Sequence, residues 1–491
     1  MSFDTVRREW RTLLAAAGAT AALASLWVAP PAVQSIGDEL DYLRAATHLV
    51  RGGILSSAPL DDLAPPPDAY REPAYPFLLS VWWRARGELP RAAALDRVVD
   101  PAWQTVPGVR ALGCMALAVA AISAGLAARA AGVGLSTALA ATAIVLASPG
   151  LRQAALTMGP EALAAALVAL VGCGLVRAVG GGGYGAVALA GVAAGLGVLT
   201  RGAGVAVLPA GALVLLAFPV AASPRSRLAR AVVFGLIALL PCALWAARNR
   251  AVTGHWVLGD RGGQVMWTRA ELNREIAAEG LAPALLAWTP LQSARDFGER
   301  RWPAARYSRY EWTGEGNFFT RSIRRWRSDR NSHGDVLEAD RALGRKALRE
   351  FVARPGEHAV AGVAVAWRGL FGERSPSWLA PVDLRFVLGL GSATGLVLLL
   401  VTGLLRHDAR ALALVAPPLA LFFFHAAVTE FLTRFSVPGL PLAWAALAVA
   451  LYPRTRPRAE AAARAAPITG PPQLFVSPPR NPRRARGGCG S

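Results

Sequence analysis

Residues 160–179 read PEALAAALVALVGCGLVRAV, with charge only at Glu161 and Arg177. A run of about 20 apolar residues is what a helix needs to cross the hydrocarbon core of a bilayer. This stretch is therefore read as a membrane span. Working outward, similar runs occupy 134–149 and 108–127 on one side and 184–200, 203–221 and 231–247 on the other. Further runs lie at 12–31, 384–405, 411–429 and 437–452. The expectation is an all-α polytopic membrane protein with about ten transmembrane helices.

Composition agrees with that fold class. Of 491 residues, 54% are hydrophobic and only 17% charged, and the mean hydropathy is +0.37. Soluble domains carry about 25% charge, so a disordered chain and an ordinary soluble enzyme are both excluded. The net charge of +20 comes almost wholly from Arg, since Lys346 is the sole lysine. Nucleic-acid binders gather basic residues on a polar domain; here they stand between apolar runs or in the tail, so nucleic acid is not an expected partner. The four cysteines and six histidines form neither a CxxC nor an HExxH pattern, which argues against a metal site of protein nitrogen and sulfur.

The arginines also orient the chain. Arg7, Arg8 and Arg11, then Arg129, Arg177, Arg225, Arg227, Arg230, Arg406 and Arg410, all fall on one side if there are ten spans. The positive-inside rule makes that side cytoplasmic. The predicted organisation is an N-terminal membrane module over 1–247 whose first outer loop is 32–107, an extracytoplasmic cap over 248–383, C-terminal spans over 384–452, and a basic, Pro-rich cytoplasmic tail over 453–491. The first span, despite its signal-peptide look, is expected to stay attached, because the polar segment behind it looks functional. Within that segment, residues 37–50 place apolar side chains at 40, 43, 46/47 and 50 with acids in the first turn, which predicts an amphipathic helix on the membrane surface. Helical patterning recurs at 335–353 in the cap.

This topology collects ionisable residues at the outer membrane face. They are Asp38, Glu39 and Asp41; Arg71 and Glu72; Glu161; Arg201; Arg248 and Arg250; and Glu430 with Arg434. Charge at a bilayer edge is costly and is usually paired or functional. Each residue also has a bland role: first-turn helix charge for Asp38, Glu39 and Glu161, an i,i+4 pair for Glu430 and Arg434, snorkelling for Arg201, Arg248 and Arg250. His425 reads as a helix-packing residue. Together, carboxylates for proton abstraction and guanidiniums for an anion point to a site on this face.

Their order along the chain resembles the C-type (GT-C) integral membrane glycosyltransferases that use polyprenyl-phosphate sugars. Nearest is the branch of protein O-mannosyltransferases and lipid A aminoarabinose transferases. The resemblance is carried by Asp38-Glu39-Leu40-Asp41-Tyr42 with Gly52-Gly53, Arg71-Glu72-Pro73-Ala74-Tyr75-Pro76, Thr157-Met158-Gly159-Pro160-Glu161, Leu199-Thr200-Arg201-Gly202, Arg248-Asn249-Arg250, and Glu430 with Arg434-Phe435-Ser436-Val437-Pro438. It covers roughly residues 10–452. It implies that Asp38 is the catalytic carboxylate, Glu161 a second site carboxylate, and Arg201 a contact to the carrier phosphate. Glu39 joins them as a catalytic candidate, Arg71 and Arg248 as donor-phosphate ligands, and Asp41, Tyr42, Tyr75, Glu430 and Arg434 as substrate-binding residues. Two positions depart from the family: Glu72 precedes the proline where a basic residue is common, and Phe435 follows Arg434 where tyrosine is commoner.

The implied reaction fits the residue types. A leaving group that is already a phosphate needs cations more than a proton, whereas the attacking hydroxyl needs a carboxylate to take its proton. Asp38 as general base, with inversion at the anomeric centre, meets that need. The expected partners are a polyprenyl-phosphate-sugar donor, a lipid, glycan or protein acceptor, and membrane lipids, with the prenyl tail lying among the spans. The sequence assigns no cofactor with certainty and leaves metal dependence open, since paired outer carboxylates have room for a divalent cation, Mg²⁺ or Mn²⁺. The rival enzyme class is a polymerase or ligase acting on a polyprenyl-diphosphate-linked glycan. A transporter of lipids or small molecules is the rival from another class, and no internal repeat supports it. A non-catalytic scaffold built on a degenerate transferase is the third. The expected location is a bacterial inner membrane, with both termini cytoplasmic and the site outside.

Overall fold

The structure, a computed structural model, describes residues 38–62, 64–87, 109–157, 159–218, 223–310, 316–332, 335–372, 385–430 and 432–452. The span expected at 12–31 and the tail expected at 453–491 lie outside them. Among the described residues every regular element is a helix.

The described residues begin with two short helices, α1 (Asp38–Gly52) and α2 (Ala74–Arg86). The amphipathic pattern of α1 is real, but its apolar face is not laid on lipid. Leu40, Leu43 and Ala46 are buried against Leu60, Leu79, Trp83 and Val109. Apolar side chains from α2 and from the following span thus cover the stripe that the pattern alone assigned to the membrane surface.

Then comes a bundle of apolar helices: α3 (Val109–Ala130), α4 (Leu135–Ala147), α5 (Pro149–Leu156), α6 (Glu161–Val179), α7 (Tyr184–Thr200), α8 (Val207–Ala217) and α9 (Pro224–Thr253). Among the described residues six helices are long and apolar enough to cross a membrane, and a seventh crossing is formed if the bent pair α4–α5 counts as one. The run predicted at 134–149 breaks by 55° at this pair; there Ser148 Oγ accepts from Leu151 N at 3.3 Å and Pro149 opens the new helix. The helix α7 and the segment Gly202–Ala217 are shorter apolar helices.

Small residues let these helices meet closely. Ala120, Ala121, Ala124, Ala127 and Ala128 of α3 are fully buried, and α3 packs along α6. A Cβ on Gly113 would stand 1.8 Å from the carbonyl oxygen of Ala155, so glycine is what allows α3 to touch α5. In lipid, where apolar burial gives little drive between helices, such close packing is a main source of association.

The segment between the apolar bundle and the last apolar helices forms a helical cap: α10 (Gly262–Glu279), α11 (Leu281–Trp288), α12 (Gln292–Arg301), α13 (Ala304–Tyr307), α14 (Phe318–Ser332), α15 (Val336–Ala353) and α16 (Pro355–Gly369). The pattern read at 335–353 is α15, started by Asp335, whose carboxylate accepts from Leu337 N at 2.8 Å and Glu338 N at 3.3 Å. Three apolar helices complete the described chain: α17 (Arg385–Leu405), α18 (Ala409–Val428) and α19 (Leu440–Leu451).

One arginine fastens cap to bundle. Arg269 of α10 is fully buried. It donates to the carbonyls of Ala426 (2.7 Å) and Thr429 (2.9 Å) at the end of α18, to His358 O (3.2 Å), and to Asn273 Oδ1 (2.7 Å). Burial lowers its pKa to about 10, against the attraction of Glu430.

Candidate active site

Helix ends build the site. Asp38 opens α1, Glu161 opens α6 behind Pro160, and Arg201 ends α7 in an extended conformation. Arg434 and Phe435 stand in a 3-10 turn, Thr433–Phe435, after α18. Arg71 and Glu72 precede α2, and Arg261 precedes α10. Backbone polar groups at helix termini lack helical partners, so polar side chains gather where the helices stop. They surround a cavity of about 640 Å³ lined by Asp38, Tyr42, Tyr70, Arg71, Glu72, Glu161, Arg201, Arg261, His425, Glu430, Arg434 and Phe435, among others.

At its centre three guanidiniums share one carboxylate. Arg71 donates to Asp38 Oδ1 at 2.6 Å and Arg434 to Oδ2 at 2.5 Å, while Arg261 stands 3.3 Å from Oδ1. Burial would push the Asp38 carboxyl up, but Arg71, Arg434 and Arg261 together hold it far below the usual carboxylate range. Asp41, one turn along α1, holds Arg71 from the other side, accepting at 3.1 Å from Nε and 2.5 Å from Nη2. The Arg71 guanidinium also lies over the rings of Tyr70 (4.9 Å) and Tyr42 (5.2 Å).

A second ion pair lies beside the first. Arg201 donates to Glu161 at 2.8 Å, and Arg434 stands 3.9 Å from the same oxygen. The Arg201 guanidinium lies 4.8 Å from the centroid of Phe435. Glu72 stitches two segments together: it accepts from Tyr42 Oη (3.0 Å) and from Gly202 N (3.0 Å). An acid at 72 is therefore structurally engaged where the family pattern has a base.

Glu430 lines the cavity from deep within the wall. It is 4% exposed, and its Oε2 makes no hydrogen bond with the described residues. Burial raises its pKa, against attraction from Arg368, Arg261 and Arg434. Arg368, which lies over the Trp288 ring at 4.8 Å, is lowered to about 10 by its own burial.

Three predicted residues do not line the cavity: Asp41, which holds Arg71, together with Arg248 and Tyr75. Arg248 donates to the carbonyls of Asp68 (2.5 Å) and Leu55 (3.4 Å) and lies over Trp245, so it braces the loop that carries Arg71 instead of lining the cavity. Tyr75 is buried behind Tyr42, ring edge to face at 5.8 Å. The side chain of Glu39 lies outside the described residues. Sequence reasoning missed Arg261 and Tyr70; for Arg261 the turn Gly259-Asp260-Arg261-Gly262-Gly263 ahead of a helix was the available signal. His425 keeps its packing role, ring-stacked on Phe435 at 4.9 Å and hydrogen-bonded to Thr429 at 3.2 Å, yet it also lines the cavity.

Among the described residues no group of carboxylates, His or Cys is arranged to cradle a divalent cation. Asp38, Glu72 and Glu161 are each committed to guanidinium or N–H and O–H donors.

No family model matches the chain, and no curated protein does. Among solved structures it is similar to the oligosaccharyltransferase AglB of the archaeon Archaeoglobus fulgidus, in complex with an inhibitory peptide and a dolichol-phosphate, at 15% identity and a TM-score of 0.47, over 91% of this chain and 50% of that one. An Archaeoglobus fulgidus oligosaccharyltransferase in complex with Zn and sulfate matches at 15% identity and a TM-score of 0.47, over 89% of this chain and 48% of that one. An Archaeoglobus fulgidus oligosaccharyltransferase tethered with an acceptor peptide matches at 15% identity and a TM-score of 0.49, over 89% of this chain and 49% of that one. The chain thus spans about half the length of the solved structures it matches.

Proposed function

We propose that this protein is a membrane glycosyltransferase that moves a sugar from a polyprenyl-phosphate carrier to an acceptor hydroxyl at the extracytoplasmic face of a bacterial inner membrane. The observation that carries this reading is the meeting of Asp38 with Arg71, Arg261 and Arg434 in a cavity at the ends of apolar helices. A carboxylate for the acceptor proton and cations for the leaving phosphate are the two groups the transfer requires.

In the step, the acceptor oxygen forms a bond to the anomeric carbon while the bond from that carbon to the phosphate oxygen breaks. The phosphate keeps the bonding electrons, the acceptor proton passes to Asp38, and attack opposite the phosphate inverts the anomeric centre. The phosphate gains negative charge as the bond breaks, so the guanidiniums stabilise the transition state more than the ground state. Lipid A, a cell-wall polysaccharide, a lipid or a protein could each supply the acceptor hydroxyl.

The test is incubation of the protein in nanodiscs with a panel of polyprenyl-phosphate sugars, following free carrier lipid by mass spectrometry beside Asp38→Asn. Release by the parent and not by the variant is the expected result. Release by both proteins would remove Asp38 as the base. Release from none of the donors, with the fold intact, would overturn the donor class and favour the diphosphate-linked rival.

A further inference from the structure

Asp38 is asked to be a base, yet its contacts are those of a bound anion. Three guanidiniums from three distant segments converge on its two oxygens. Each of the three has other support. Arg71 is held by Asp41 and by the Tyr42 and Tyr70 rings. Arg261 donates to Gln264 Oε1 at 2.9 Å and lies 5.3 Å from the Tyr70 centroid. Arg434 lies 5.6 Å from the Phe435 centroid and 3.9 Å from Glu161. The fork is thus built independently of Asp38 and would keep its shape around another oxyanion.

Three guanidiniums thus meet at one carboxylate, with Asp41 sharing Arg71 and Glu161 standing 3.9 Å from Arg434. A single phosphate group matches this seat: it offers more oxygens than a carboxylate, and it reaches two negative charges once the sugar has left. Guanidiniums that converge on one point suit one phosphate better than a diphosphate, whose second group would need cations displaced along the chain of atoms.

We infer that Asp38 and the donor's phosphate compete for the same seat, formed by Arg71, Arg261 and Arg434, so that the phosphate itself releases the carboxylate to act as base. This rests on the functional reading above and adds two things to it. It assigns Arg261 to the phosphate seat, and it makes activation of the acceptor conditional on the carrier. Clamped by three arginines, Asp38 is ionised but a poor proton acceptor. Relieved of them, its basicity rises toward that of an ordinary carboxylate. An acceptor alone would then meet no competent base, which orders the donor ahead of the acceptor.

Removing the competitor should therefore strengthen carrier binding even as it abolishes transfer. The probe is sugar-free polyprenyl phosphate, titrated against the full chain in nanodiscs, with Asp38→Asn, Asp38→Ser and Arg261→Gln alongside and a melting curve for each. Asp38→Asn should bind about tenfold tighter than the parent, a difference set by one charge-assisted contact. Asp38→Ser should do the same if the amide of Asn proves disruptive, and Arg261→Gln should bind about tenfold more weakly. Equal or weaker binding by both folded Asp38 variants would overturn the inference and leave the functional reading standing. An unchanged affinity in Arg261→Gln would remove that residue from the seat and overturn the three-arginine form. Absence of binding to every protein, parent included, would overturn the inference together with the functional reading.

Discussion

Arg434 and Asp38 stand 396 positions apart, yet Arg434 Nη2 meets an Asp38 carboxylate oxygen at 2.5 Å. The contact joins the turn after α18 to the first residue of α1, so the site exists only when the last apolar helices close against α1. Lysine at 434 would keep the charge and lose the planar fork that reaches both Asp38 and Glu161. Arg434→Lys is expected to lower the transfer rate by about 10²-fold, the usual effect of removing one donor aimed at developing charge. Turnover within a few-fold of the parent would show that charge alone suffices there.

The pair of Glu161 and Arg201 separates stability from chemistry. Both side chains are largely buried, at 10% and 17% exposed. Arg201→Gln alone leaves a buried carboxylate with its main partner gone and should cost about 3 kcal/mol. The double variant Glu161→Gln/Arg201→Gln should recover most of that, while transfer stays lost. Thermal unfolding in detergent and a transfer assay on the same preparations check both halves. Recovery of transfer in the double variant would make the pair purely structural.

Arg269 is the tether between cap and bundle. Arg269→Leu fills the volume but leaves the carbonyls of Ala426, Thr429 and His358 without this donor. Stranded buried carbonyls each cost about 1–3 kcal/mol, so a loss of about 3 kcal/mol or more is expected, read as a lowered melting temperature. A melting curve equal to that of the parent would mean that water or another donor satisfies these groups.

Acid and base should act on stability through different carboxyls. Burial raises the folded pKa of Glu430 above its ordinary 4.5. Its contribution is therefore fully present below 4.5 and is lost as pH rises through the folded value. Glu430→Gln should gain stability relative to the parent as pH climbs. Asp38 is depressed below its ordinary 3.8, so its contribution is present above 3.8 and is lost as pH falls toward the folded value. Asp38→Asn should flatten that acid limb. Denaturant midpoints measured across pH for the three proteins decide it; parallel curves would contradict both assignments.

The helices were legible in the sequence because hydropathy is a local property. The runs at 108–127, 160–179, 231–247, 384–405 and 411–429 each coincide with a long apolar helix. Asp38, Arg71, Glu161, Arg201, Glu430 and Arg434, chosen because the expected topology gathers them at one membrane face, line one cavity. Where an apolar stripe finds its cover is less local. The pattern of α1 looks the same whether the face meets lipid or protein, and only the position of Leu79 and Trp83 of α2 shows that protein covers it.

The sequence by itself determined an all-helical membrane chain and a set of ionisable residues stranded at its helix ends, since the bilayer acts on each segment separately. Tertiary structure alone decided how those residues share their charges. It spends Arg248 on the carbonyls of Asp68 and Leu55, brings Arg261 in from the cap, and closes three arginines on Asp38. Residues 38, 71, 261 and 434 have no common local environment; they meet because the packing of α1, the cap and the turn after α18 brings their segments together, and no property of the linear chain records that distance.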